Sequence, residues 1–370
     1  MAANAILYTP DRIMEALKAK TATRVLAFRY DLLDSTEKFK KALYCVEDSS
    51  SIAYNALADI KRTASFSLKK DDDIDFVSDR IQAFVRLRMP DKNFVEWPVG
   101  IFLLSSPEQQ DRNDEIFYKV EAYDGLQVLI DDKFEDRYTI ASGTAYTIAI
   151  KTILSGAGIT KVNIENSTLT LSTYKEFDPG TTKLAAINWL LSKINFISLY
   201  VDVNGYYTSR KYIAPANRSI DITYADDELS ILCNSLVYKM DLFNVPNKFV
   251  RYTSNAETTS LRSVYTNTNA DSPLSTVSRG RTILDIQSVD DIANQTTLDE
   301  YTERIASEAS QVYGYITCET AIVPMHEHGN IVRIESSLHS IFENFTETGW
   351  SYQLKAGARM KHSLRRLISV

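Results

Sequence analysis

From Arg24 to Tyr123 the apolar side chains recur at every second position: Leu26, Phe28, Tyr30 and Leu32, then Ala64, Phe66 and Leu68, then Ile81, Ala83, Val85 and Leu87, then Ile116, Tyr118, Val120 and Ala122. That period places them on one face of a pleated strand, with polar neighbours on the other. The runs are separated by polar turns, with no helix of useful length between most of them, so neighbouring strands are predicted to pair antiparallel. The same period returns beyond Leu236, in Leu236, Tyr238 and Met240, in Phe249 to Tyr252, from Tyr315, in Ile331 to Ile334, and from Trp350 to Leu364. With 21 Tyr and 15 Phe against only 12 Gly in 370 residues, the composition also leans towards sheet. At about 150 residues per domain the length suits two or three domains.

Between these blocks the period changes. Thr144 to Leu154 carries Ile148, Ile150, Ile153 and Leu154 and meets Gly156 and Gly158, where a helix can stop. A second helix is predicted after Asp178-Pro179-Gly180, with Leu184, Ile187, Leu191 and Ile194 at spacings of three and four around Trp189. Asn204-Gly205 then divides Ile197–Val203 from Tyr206–Tyr212, a strong hairpin signal because both residues accept positive φ. At the N-terminus Thr9-Pro10-Asp11 can cap and start a short helix. Between Thr253 and Thr282, sixteen of thirty residues are Ser, Thr or Asn, too polar for a core and therefore an exposed insertion. A helix is predicted from a capping box at Thr297-Leu-Asp-Glu300, with Leu298, Tyr301, Ile305, Ala309 and Val312 as its stripe.

The charge balance, 41 Lys+Arg against 48 Asp+Glu for a net −7, disfavours a protein that grips phosphates along nucleic acid. The densest run, Asp71-Asp72-Asp73-Ile74-Asp75, reads as a solvated turn. No stretch reaches the ~20 apolar residues of a membrane helix, and the N-terminus lacks the basic and apolar parts of a signal peptide, which suits synthesis in a cytoplasm. Cys45, Cys233 and Cys318 are too far apart for a local zinc or disulfide motif and are expected to be small buried hydrophobes. Phosphate-loop, dinucleotide and nucleophile-elbow motifs are missing. His326-Glu327-His328 alone has ligand-like spacing, since alternate strand residues share a face. Without a third ligand it reads as a polar turn between Pro324 and Gly329. His339 and His362 are expected at the surface or an interface. Asp131-Asp132, Asp226-Asp227-Glu228 and Asp290-Asp291 fall where turns are predicted, and Trp97, Trp189 and Trp350 are scattered as core residues are. The residues therefore nominate no catalytic, cofactor or metal site.

Several strings carry a resemblance. Glu96-Trp-Pro-Val-Gly-Ile-Phe-Leu-Leu-Ser-Ser-Pro107, followed by Val120-Glu-Ala-Tyr-Asp-Gly-Leu-Gln-Val-Leu129, resembles the first domain of phage tail hub proteins, also called tail-associated proteins. Trp189 to Asn195 running into Val201 to Tyr206 is similar to their middle module. Asn234 to Val250, with its Val-Pro-Asn turn, is similar to the start of their second barrel, and Gly329 to Ile334 with Gly349 to Leu367 to their last strands. The resemblance implies a mainly β fold with α+β modules: an N-terminal helix and first tail-tube-like barrel at 1–130, a helix-and-hairpin module at 131–233, and a second barrel at 234–370 with an insertion at about 253–314. It also implies a homotrimer whose two barrels per chain match the six-fold tail tube. The partners would be the tube or distal tail protein ring, the tape-measure protein and a separate spike, fibre or lytic protein, all in the virion tail. Any channel for the genome should then be neutral or negative, because a basic wall would hold DNA back. Two other readings compete. A tail-borne cell-wall glycan hydrolase needs carboxylates facing across a cleft, and a receptor-binding adhesin needs an exposed aromatic platform.

Overall fold

The computed structural model describes residues 8–367 except 21–22, 47–48, 113, 234, 241–242, 254–259, 290–291 and 312–313. Asp290-Asp291 and Val312, singled out above, lie outside the described residues. Strands β1 (Leu26–Leu33), β2 (Phe39–Leu43), β3 (Ser51–Asn55), β4 (Arg62–Lys69), β5 (Arg80–Arg88), β6 (Phe94–Leu104), β7 (Glu108–Arg112) and β8 (Glu115–Tyr123) come from the first alternating block. They follow α1 (Pro10–Leu17), whose Thr9 hydroxyl accepts from the Arg12 amide at 3.4 Å, the cap the sequence predicts. The second block supplies β14 (Ile222–Ala225), β15 (Val237–Met240), β19 (Gly314–Ala321), β20 (Ile331–Ser336), β21 (Ile341–Gln353) and β22 (Arg359–Arg366).

These fourteen strands form one sheet, in the order β15-β19-β22-β21-β3-β4-β8-β6-β5-β1-β2, with β7 on β8, β20 on β21 and β14 on β20. The fold is mainly β, as predicted. The two β regions, expected as two barrels, are joined edge to edge where β21 pairs with β3 from Gly349↔Asn55 to Gln353↔Ser51. Among the described residues the strand path runs open from β15 to β2. Their interiors are continuous too: Leu32, Phe66, Phe102 and Val120 share one core with Ile316, Val332, Phe345 and Leu364. The alternation shows which face each strand buries, whereas the partner of an edge strand is set by chain segments hundreds of residues away.

The seam has a local cause. Strand β21 serves β20 with its first half and β3 with its second, and a register shift against β22 between Glu347 and Gly349 marks the change of partner. A Cβ on Gly349 would stand 2.9 Å from the Tyr54 carbonyl oxygen, a backbone atom that cannot swing away. Gly349→Val is expected to lower stability by about 1–3 kcal/mol, the usual cost of forced overpacking. Gly156→Ala, where an added Cβ meets open space, should stay within about 0.5 kcal/mol of the parent. Urea midpoints of the two variants check this, and equal midpoints would remove the seam's packing role.

The middle module has its own core of Leu129, Ile150, Ile153, Leu154, Ile187, Leu190 and Leu191, from α2 (Leu126–Asp131), α3 (Tyr146–Gly156) and α4 (Lys183–Lys193). Strands β9 (Tyr138–Ile140) and β11 (Lys175–Phe177) pair with each other, and β10 (Val162–Ile164) pairs with β13 (Tyr207–Ser209) beside β12 (Tyr200–Val201). The β12–β13 hairpin is present with a longer loop than the two residues predicted. Asp202 O accepts from the Gly205 amide at 3.1 Å, and Asp202 Oδ1 accepts from the Asn204 and Tyr206 amides at 2.9 Å each. Only Gly205 takes positive φ, at 85°, so the carboxylate draws the chain into a turn plus bulge.

Strands β16 (Lys248–Tyr252), β17 (Arg262–Thr266) and β18 (Leu284–Ser288) make a separate sheet covered by α6 (Gln295–Ser310), with the single turn α5 (Thr276–Arg279) between β17 and β18. This satellite therefore takes in Phe249 to Tyr252, which the period alone assigned to the second β domain. The cap of α6 is Asn294, whose Oδ1 accepts from the Thr297 amide at 2.9 Å. The predicted Thr297 lies inside the first turn, because Asn caps as well as Thr and stands three residues earlier.

Candidate functional site

The loop from Pro324 to Gly329 is a turn, as the sequence suggests, yet its histidines point inward. Glu327 between them is exposed, its amide donating to Asn330 Oδ1 at 2.5 Å, and Gly329 closes the loop at φ 66°. His326 and His328 do not share a ligand position. His326 Nδ1 lies 2.5 Å from Glu347 Oε2 and its Nε2 lies 2.7 Å from the Tyr224 hydroxyl. His328 Nδ1 instead meets the Tyr54 hydroxyl, and its ring stacks on Tyr200 with centroids 4.4 Å apart.

The third group is His362, expected at the surface or an interface and in fact 1% exposed within the chain. Its Nδ1 is 2.7 Å from Glu347 Oε1, and its Nε2 is 2.8 Å from Thr320 Oγ1. One carboxylate is thus held between two imidazoles, and each imidazole reaches a hydroxyl behind it. Burial works to raise the Glu347 carboxyl, but attraction to His326 and hydrogen bonds from both rings hold it below the ordinary carboxylate value. Burial also holds His362 below its ordinary value, against the pull of Glu347. With Glu347 ionised, both Nδ1–H groups donate to it; the Thr320 hydroxyl behind His362 also donates to the Ala321 carbonyl at 2.8 Å. A divalent ion could occupy the same triad, whose ligand atoms lie within 4.8 Å of one another. It would displace both Nδ1 protons, leaving Nε2–H groups that the two hydroxyl oxygens could accept. At 2.5 and 2.7 Å the spacings are those of hydrogen bonds.

The sequence singled out none of Glu347, Tyr224 and Thr320, and placed His362 at the surface or an interface. A signal existed: His362 stands between Met360 and Leu364, and Glu347 follows Phe345, each at the inward parity of its strand. A titratable residue on that parity is buried and must find a partner.

The remaining candidates stay apart. His339 is exposed and bonded to Ser336 Oγ at 2.9 Å. Cys45 and Cys318 are buried, which pushes the Cys318 thiol up to about 12 and Cys45 further still, while Cys233 is half-buried. In the acidic run, Lys41 pairs with Asp71 at 2.5 Å and Asp73 at 2.8 Å. Asp132 pairs with Lys183 at 2.5 Å and Asp227 with Lys18 at 3.8 Å, each a contact between distant parts of the chain. Trp97 and Trp350 are core residues, and Trp189 is flanked by Lys175 and Lys193 over its ring. Among the described residues no helix is long and apolar enough to cross a membrane. The two ends of the sheet path, β2 and β15, present exposed Phe39, Val237 and Met240.

No family model and no curated protein matches the chain. Solved structures do. The tail protein of Neisseria meningitidis MC58 superposes with a TM-score of 0.65 at 12% identity, over 92% of this chain and 97% of that one. The prophage MuSo2 43 kDa tail protein of Shewanella oneidensis gives 0.60 at 11% identity, over 91% and 98%. The prophage tail protein gp18 of Listeria monocytogenes gives 0.57 at 12%, over 91% and 94%. The chain has the fold of these phage tail proteins, in agreement with the resemblance carried by its sequence.

Proposed function

We propose that the chain is the structural hub of a phage or phage-like tail, working by assembly and not by catalysis. Three copies form a ring that adapts the six-fold tail tube to the tail tip or baseplate and leaves a channel for the genome. The whole-length match to tail proteins carries this reading. The continuous sheet adds support, since each chain brings two β regions fixed to one another, and three chains supply six such units around one axis. The exposed sheet ends at β2 and β15 suit contacts between copies or with the tube, because an unpaired edge is a template for pairing. The partners would be the tube or distal tail protein ring on one side, a spike, fibre or lytic protein on the other, and the tape-measure protein within. Electron microscopy of the assembled particle is expected to show three copies per ring. Six copies, one per tube subunit, would overturn the adaptor role, while a monomer in dilute solution fits an assembly that needs the tube end as template.

A further inference from the structure

An acidic chain has little reason to gather cations, yet six of them line one cavity of about 450 Å³ where three parts of the fold meet. Lys61 lies in the β3–β4 turn and Arg365 on β22 of the main sheet, Arg210 follows the β12–β13 hairpin, Arg218 lies in the linker beyond it, and Arg304 is on α6. Two have local partners: Arg304 reaches Glu308 at 2.7 Å and the Phe196 carbonyl at 2.7 Å, and Arg218 reaches the Gly329 carbonyl at 2.7 Å and Asp221 at 3.7 Å. Lys61 is only 6% exposed, and its ammonium has a single described acceptor, the Ala58 carbonyl at 2.7 Å. Among the described residues neither Arg210 nor Arg365 makes a side-chain hydrogen bond or ion pair. Lys211 also lines the cavity but is tied to Glu300 at 2.8 Å. On the acidic side stand the exposed Asp59, Glu308 already on Arg304, and Glu347 already held by two imidazoles.

The field at this spot is visible in His328, which shares the cavity. Burial, then the charges of Lys61, Arg210, Arg218 and Arg62, pull its pKa down to about 3. Arg218 is likewise lowered, by burial and then by Arg210. Burial holds Lys61 below its ordinary value although the Asp124 and Asp59 carboxylates pull it up, and guanidinium forks match the planar oxygens of carboxylate and phosphate.

We propose that this cavity is an oxyanion site which takes a carboxylate or phosphate group and so fastens the middle module, α6 and the main sheet together. The proposal does not depend on the hub reading, and its test uses the isolated full chain. The oxyanion has two sources, a free ion or an acidic segment of a partner protein, so the probes are inorganic phosphate and a tetraglutamate peptide with a free C-terminus. Thermal midpoints are recorded with each probe and with chloride at the same ionic strength. One or both probes should raise the wild-type midpoint by roughly 2 °C or more over chloride at saturation. The concentration needed should rise at least tenfold in Arg210→Gln/Arg365→Gln, which removes two cations without described partners. A lower half-saturation for phosphate assigns a free ion, and a lower one for the peptide assigns a partner carboxylate. If the double variant fails to fold, Arg210→Gln alone, at an exposed position, carries the same comparison. No shift beyond chloride, or equal shifts in wild type and variant, would overturn the site.

Discussion

Glu347→Ala lowers the folding stability by about 3–5 kcal/mol, the range for removing one partner from a buried ion pair or its hydrogen-bonded equivalent. The side chains of Glu347, His326 and His362 are all 1% exposed or less, so water cannot replace the lost acceptor. Two imidazole N–H groups would be left facing a cavity, each with an unmet desolvation cost. The damage is central, because the triad ties the turn before β20 to β21 and β22 at the point where β21 changes partner. Glu347→Gln keeps the volume and one acceptor oxygen. Its amide can donate to the second ring once that ring changes tautomer, so the loss should be smaller, about 1–2 kcal/mol. Urea unfolding measures both, with a lowered midpoint and an unchanged slope showing a native-state effect. An Ala variant as stable as the parent would mean that the three groups do not act as a structural unit.

The sequence reads well where a rule is local. Alternation marks the faces of β1, β4, β5 and β8, three-and-four spacing marks α3 and α4, and Asn204-Gly205 marks a reversal, because each pattern arises within a few residues. The same reasoning cannot pair β3 with β21, since both have strand periods and nothing in either names the other. Asn294 takes the cap from Thr297 because two acceptable caps stand three residues apart and Asn is the stronger of the two. The triad is the clearest case. His326 shows only its neighbour His328, while its actual partners, Glu347 and His362, are brought to it by the ladder between β21 and β22, with Trp350 opposite His362. Parity could have shown that Glu347 and His362 face inward, but only the register shows that they meet.

Acid should destabilise the fold in a way that traces to His328. Its folded-state pKa, about 3, lies below its ordinary value of 6.5. Between those limits the unfolded chain therefore binds a proton that the folded chain refuses. Stability is fully present above about pH 6.5 and is lost as the pH falls towards 3, at up to about 1.4 kcal/mol per pH unit. From pH 6.5 to 5 this single ring accounts for about 2 kcal/mol. The groups that hold it neutral surround it: Tyr54 at Nδ1, Tyr200 on its face, and Lys61, Arg62, Arg210 and Arg218 as nearby charges. His362, also lowered by burial, adds a loss of the same sign, and Glu347, held below 4.5, adds one at lower pH. His328→Gln keeps a polar contact for Tyr54 but cannot take up a proton. At pH 7.5 it should cost about 1 kcal/mol in lost hydrogen bonding and stacking. By pH 5 it should match or exceed the wild type, because its stability curve is flatter by the contribution of one imidazole. Urea midpoints at pH 7.5, 6 and 5 measure the difference in slope, and parallel curves for the two proteins would show that His328 titrates alike in the folded and unfolded chains.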